Sequence, residues 1–151
     1  MKHLRSFIFF TFSIASVMLI SCGDDGDDPV TDDPVTEPTE EENQLESLSA
    51  SAWTMSSIIL DGADVTSNFS GLVLTIKSDK TYSTNGEYDP VWPSSGTFTF
   101  GSDLNTLTRD DGVSMTVSVS ETSLSITFTY ADAGGRIDAL PGDYVFSFTP
   151  Q

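Results

Sequence analysis

From Val113 to Val119, and again from Leu124 to Tyr130, apolar side chains alternate without exception with Ser or Thr. A period of two puts one set of side chains on each face of an extended strand, so these stretches are neither amphipathic helices nor strands buried on both faces. The same period marks Trp53 to Leu60, Leu72 to Ile76, Thr81 to Asn85, Gly96 to Phe100, Thr106 to Arg109 and Tyr144 to Phe148. Turn formers stand between them: Asp61-Gly62, Ser78-Asp79-Lys80, Gly101-Ser102-Asp103, Asp110-Asp111-Gly112 and Ser120-Glu121-Thr122. Eight strands on short links predict an all-β domain over residues 47–151, a small eight-stranded antiparallel meander closed into a barrel. Closure removes the edges that an open sheet exposes. The alternative is a two-sheet β-sandwich, with 61–71, 88–95 and 131–142 as its crossovers. No window shows a convincing 3.6 period, although Ala63 to Phe69 has room for one helical turn.

The second face of these strands is Ser and Thr, which belongs in water. Strands of a membrane barrel are longer, about 9–11 residues, and present apolar side chains to lipid. The interior set is therefore drawn from Leu72, Leu74, Ile76, Phe98, Phe100, Met115, Val117, Ile126, Phe128, Phe146 and Phe148.

The N-terminus carries a different signal. Lys2 and Arg5 precede an apolar run from Phe7 to Ile20, too short to cross a hydrocarbon core of roughly 30 Å. Residues 1–21 read as a secretory signal peptide that is removed. The run closes on Leu19-Ile20-Ser21-Cys22, which resembles the lipobox of bacterial lipoproteins: an aliphatic residue, a tolerant position, a small residue and the Cys that is acylated. Each acyl CH₂ buried in a bilayer contributes about 0.8 kcal/mol, and two or more chains, palmitate among them, anchor stably where one does not. Cys22 is the one Cys of the chain, so no disulfide can form.

Residues 22–46 hold eleven Asp and Glu, no Lys or Arg, and three Pro. Such composition buries too little apolar surface to offset ordering entropy, and it predicts a disordered, self-repelling tether. Its opening Gly23-Asp24-Asp25-Gly26-Asp27-Asp28 offers hard oxygen ligands for calcium, but without a 12-residue loop and its terminal Glu it reads as a solvated run, and no metal site is expected. Acidic residues just after the Cys resemble the export signal that sends lipoproteins of the Bacteroidetes group to the cell surface. The resemblance implies an outer-membrane, outward-facing protein.

Composition narrows the function. A formal net charge of -17, from 6 Lys and Arg against 23 Asp and Glu, excludes binding to a phosphate backbone, so nucleic acid is no partner. The single His, His3, lies in the signal peptide, leaving the mature chain without the commonest general base. Carboxylates remain, but Asp61, Asp64, Asp79, Asp103, Asp110, Asp111 and Asp143 all sit at turns, where Asp serves local hydrogen bonding. A non-enzymatic protein without a cofactor is expected.

Trp53 at the first strand, Asp61-Gly62-Ala63-Asp64-Val65-Thr66, Ser78-Asp79-Lys80-Thr81-Tyr82 and Val91-Trp92-Pro93-Ser94-Ser95-Gly96-Thr97-Phe98 together resemble the lipocalin-like lipoprotein domains of Bacteroidetes. The resemblance covers residues 47–151 and implies a barrel with a ligand-sized interior. It departs from lipocalins proper in two places: Ser51 stands where a Gly precedes the Trp, and Tyr144 to Phe148 has no basic residue to lie over that Trp, Arg136 falling in the loop before it.

Two binding modes follow. A small apolar ligand inside the barrel would meet Trp53, Met55, Phe98, Phe100, Met115, Phe128 and Tyr130. The other reading of these residues is a filled core. A glycan could instead stack on Tyr88-Asp89-Pro90-Val91-Trp92-Pro93, unless Trp92 closes one barrel end. Arg109, a cation among apolar and Thr residues, points either inward or to an outer or edge position. A structural module that meets protein partners through its Ser/Thr exterior is the further alternative.

Overall fold

The structure, a computed structural model, describes residues 37–86, 88–131 and 140–151. The signal peptide, Cys22, the tether up to residue 36 and Arg136 lie outside the described residues. Residues Thr36–Gln151 form one compact unit.

Among the described residues nine strands follow one α-helix: α1 (Glu40–Ser49), β1 (Ala52–Leu60), β2 (Ala63–Asp64), β3 (Val73–Ile76), β4 (Thr81–Thr84), β5 (Ser95–Phe100), β6 (Thr106–Arg109), β7 (Ser114–Ser120), β8 (Ser123–Tyr130) and β9 (Gly142–Pro150). Each of β3 to β8 pairs antiparallel with the next, β3 pairs back to β1, and β9 pairs with β1 to close the ring. The result is a closed eight-stranded antiparallel barrel, with β2 as an extra strand hairpinned to the end of β1. Closure through β1 and β9 rules out the sandwich. The β1–β2 turn uses Asp61 at φ 49° and Gly62 at φ 84°, the left-handed pair that a tight two-residue hairpin requires.

Alternation appears as burial. Along β8, Leu124, Ile126, Phe128 and Tyr130 are buried, and along β9 Tyr144, Phe146 and Phe148 are. Phe100, expected inside, is only half-buried at the end of β5, where Lys80 Nζ lies 5.7 Å from its ring. Within the eight barrel strands the charged residues are Arg109 and Asp143 alone.

β1 leaves β3 after Thr54, and the gap is stitched by side chains and loops. Ile58 N–H donates to Thr66 Oγ1 (2.9 Å) in that gap, while on the β4 side of β3 Val73 N–H donates to Asn85 Oδ1 (2.8 Å) and Asn85 Nδ2 to Gly71 O (2.8 Å). A 3₁₀ turn, Thr66–Phe69, fills the helical turn foreseen between Ala63 and Phe69 and buries Phe69.

The spacer expected through Glu46 is corrected within the described residues: Glu40–Ser49 is helical. Thr39 and Glu42 form a capping box, and three Glu in the first turn complement the helix dipole, so the acidic run stabilises this helix instead of preventing it. Leu45 and Leu48, three residues apart, give it an apolar stripe that joins the core. The helix touches β3 and β7, which stand on opposite sides of the ring, so it lies across one barrel opening. Trp53 Nε1 donates to Leu48 O (2.8 Å), and Lys80 pairs with Glu41 (2.5 Å), tying it there. That ion pair is exposed and contributes little beside the buried leucines.

A chain shortened to begin at Ser51 should lose about 3–6 kcal/mol, the value of two buried Leu side chains, relative to one beginning at residue 37. Urea unfolding midpoints of the two would measure it; equal midpoints would mean that the helix is not part of the folded unit.

Candidate functional site

The opposite opening is closed by a loop. Residues between β4 and β5 carry Val91 and Trp92 into the barrel, where they are 3 % and 2 % exposed. The Asp89–Pro90 peptide is cis, and Trp92 N–H donates back to Tyr88 O (3.0 Å). The Trp92 ring packs against Phe146 (centroids 5.1 Å), Phe128 (5.6 Å) and Tyr82 (6.2 Å). Tyr88 stacks on Phe69 at 5.8 Å and is half-buried. Trp92 thus closes a barrel end, and the sugar-stacking face expected of this loop is not presented to solvent.

Arg109 belongs to the same cluster. It sits two residues beyond the inward Leu107 on β6, so strand parity carries it inside. Its guanidinium is fully buried, 5.4 Å from the Trp92 ring and 5.5 Å from that of Phe128, within cation–π range. Nε and Nη2 donate to the two carboxylate oxygens of Asp111 (3.1 and 2.5 Å), and Nη1 donates to Val91 O (3.1 Å). The β6–β7 turn aims Asp111 inward: Gly112 takes φ 87°, and Val113 N–H also donates to Asp111 Oδ1 (3.1 Å). Burial alone would raise the Asp111 carboxyl. The bonds from Arg109 and Val113 outweigh it, and the group titrates below its ordinary value.

Two polar groups beside Trp92 are unsatisfied. Its own Nε1 and the hydroxyl of Tyr82 are buried with no hydrogen-bond partner among the described residues. Each such group costs about 1–3 kcal/mol. Burial, opposed by Arg109, pushes the Tyr82 hydroxyl up to about 12, so it stays neutral.

The rest of the interior is packed. The space left between Tyr82, Trp92, Phe98, Leu107 and Met115 measures about 10 Å³, at the lower limit for one water. Of the residues expected to line a ligand site, Trp92, Arg109 and Phe128 meet at the loop-closed end, and Phe98 and Met115 bound the small cavity. Tyr130 is buried at the end of β8. Trp53 lies at the helix-closed end and Met55 is half-buried on β1, so the set is not one site. Tyr82, Val91 and Asp111 complete the cluster without having been foreseen. Parity along Thr81-Tyr82-Ser83 was the available signal for Tyr82; nothing local announces a loop carbonyl as the third ligand of an arginine.

The turn aspartates are engaged locally, Asp64 with Thr66, Asp79 with Thr81 and Asp103 with Thr106, which holds each carboxyl below its usual range. Among the described residues no group of three or more His, Cys, Asp or Glu is placed to hold a metal ion. No described helix is long and apolar enough to cross a membrane. No family model matches the chain, and no curated protein matches it.

Asp111→Asn should cost about 2–3 kcal/mol, because a buried guanidinium loses its counter-charge while the site keeps some solvent contact. Arg109→Met should cost less than Asp111→Asn, as it removes the buried charge itself. Chemical denaturation of both variants tests the order. Asp111 is depressed in the folded state, so its contribution is present above the ordinary Asp value of 3.8 and is lost as pH falls through the folded one. In acid the wild type should converge on Asp111→Asn.

Proposed function

We propose that the chain is a lipid-anchored, outward-facing outer-membrane protein, presenting a non-catalytic barrel with a filled core that makes its contacts through its exterior. The filled interior carries this reading. A cavity of about 10 Å³ is far below the roughly 300 Å³ or more of small-molecule sites. The aromatic loop expected to offer a sugar platform is spent on closing the barrel. Recognition is left to the exterior: a barrel wall rich in Ser and Thr and nearly free of charge, acidic turns at both ends, and open surface clefts of about 610 Å³ beside α1 and about 620 Å³ beside Pro90 and Asp111. Lys2, Arg5, the apolar run to Ile20 and the Leu19-Ile20-Ser21-Cys22 motif support acylation at Cys22, and the acidic residues after it support surface display. The resemblance to lipocalin-like lipoproteins supports the same attachment, while the small apolar ligand it implies would require the interior to be emptied first.

In the native host, mass spectrometry should find Cys22 as an acylated N-terminus, Cys22→Ser should leave the membrane fraction, and protease added to whole cells should remove the domain. A neutral lipophilic dye should show no saturable uptake by the purified wild-type chain. An unmodified Cys22 would sink the anchor, and saturable dye uptake would sink the filled core.

A further inference from the structure

We propose that Asn85-Gly86 is a site of covalent modification that the fold keeps latent: Asn85 loses its side-chain amide as ammonia only when the strand end it clasps comes open, and the clasp cannot then re-form. The inference goes beyond the display reading and does not depend on it.

Of the four Asn in the chain, Asn85 alone precedes Gly. A following residue without a side chain leaves its backbone nitrogen uncrowded and its backbone free to reach many conformations, and the reaction starts from that nitrogen. Gly86 N attacks Asn85 Cγ. A C–N bond forms, the Cγ–Nδ2 bond breaks, and the Gly86 amide proton passes by way of water to the departing Nδ2, which leaves as ammonia. Water then opens the five-membered imide at either carbonyl, giving a carboxylate on a normal or a β-linked backbone. Nothing is oxidised or reduced: one water enters and one ammonia leaves.

Each residue of this labile pair has its own reason to be there. Asn85 follows β4 and clasps the start of β3: Oδ1 accepts from Val73 N–H (2.8 Å), Nδ2 donates to Gly71 O (2.8 Å), and its own N–H donates to Val73 O (3.2 Å). The place demands a side chain that both accepts and donates, which a planar amide does. At Gly86 a Cβ would come within 2.9 Å of the Tyr88 ring, which stacks on Phe69. Thr84 Oγ1 donates to Gly86 O (2.8 Å), so the peptide beyond the amide is held as well.

The same clasp suppresses the reaction. Ring closure requires the amide to swing from β3 onto Gly86 N, which breaks both side-chain bonds to the start of that strand. The reactive conformer therefore belongs to an opened strand end, and the rate is scaled by how often that end opens. The product cannot take the old place. An ionised carboxylate only accepts, so it can still receive Val73 N–H but faces Gly71 O as one acceptor against another. β3 is four residues long, and one clasp is a large share of what fixes its start.

The test incubates the full chain with Cys22→Ser, handled free of lipid, in mildly alkaline buffer with and without denaturing urea, and follows the mass gain at Asn85 by peptide mass spectrometry. Conversion should be slower in the native chain than in urea by about 10-fold or more. Asn85→Asp, which carries the product's carboxylate, should lower the urea midpoint and speed hydrogen exchange of the Val73 amide by about 10-fold or more. Should Asn85→Asp fail to fold, the deamidated fraction of the native chain, separated by its added negative charge, is put through the same exchange measurement. Equal conversion in both states, or none even in urea, overturns the proposal. So does a carboxylate at position 85 that leaves Val73 exchange and the urea midpoint at the parent values.

Discussion

β9 runs beside β1 from the pair Trp53↔Pro150 to the pair Leu60↔Tyr144, and this one ladder turns a meander into a closed wall. Every inward position depends on it. Once the ring is shut, strand parity alone sorts Leu, Ile and Phe to the inside and Ser and Thr to the outside. Closure also explains a surface that would be hazardous on an open sheet. Soluble sheets commonly guard their edges with Lys or inward-pointing charges, whereas these barrel strands carry just Arg109 and Asp143. With the ring shut, the barrel strands need few charges, and most acidic residues among those described lie in the turns and in α1.

A small barrel must still cover two openings, and this one covers them by different means. At one end an amphipathic helix lays Leu45 and Leu48 over the core and accepts the Trp53 indole N–H on its Leu48 carbonyl. The indole N–H is matched in that contact, and the buried hydroxyl of Ser51 at the turn into β1 is the one group there without a partner among the described residues. At the other end an aromatic loop and a 3₁₀ turn supply Trp92, Tyr88 and Phe69, and a buried cation replaces an apolar residue. That second closure is held by ring packing and by the Arg109–Asp111 pair, with the Trp92 Nε1 and the Tyr82 hydroxyl left without partners among the described residues.

The strand framework was legible because a period of two needs no tertiary information: Val113 to Val119 and Leu124 to Tyr130 declare both their conformation and their inner face. Ends of strands were read to within a residue or two, as far as flanking turn formers allow. The helix was hidden by composition. Three consecutive Glu look like solvated tether, and only the spacing of Thr39 to Glu42, with Leu45 and Leu48 beyond, marks a capped start. The Arg109 cluster was half legible. Parity on β6 permits an inward side chain, but its stability rests on a turn carboxylate and a carbonyl 18 residues upstream, and contacts of that range follow from the fold and not from any local pattern. Phe100 shows the converse limit, since it has the right parity but lies where the strand runs out of barrel.

The way α1 is hung has a mechanical meaning. It leads directly into β1, is bonded to Trp53 of that strand, and β1 is gripped by β3 on one side and β9 on the other. A pull arriving from the N-terminal side runs along the axis of β1. It loads both ladders as a lap joint is loaded, so that many hydrogen bonds must yield together, whereas a strand peeled from a free margin would surrender them one at a time.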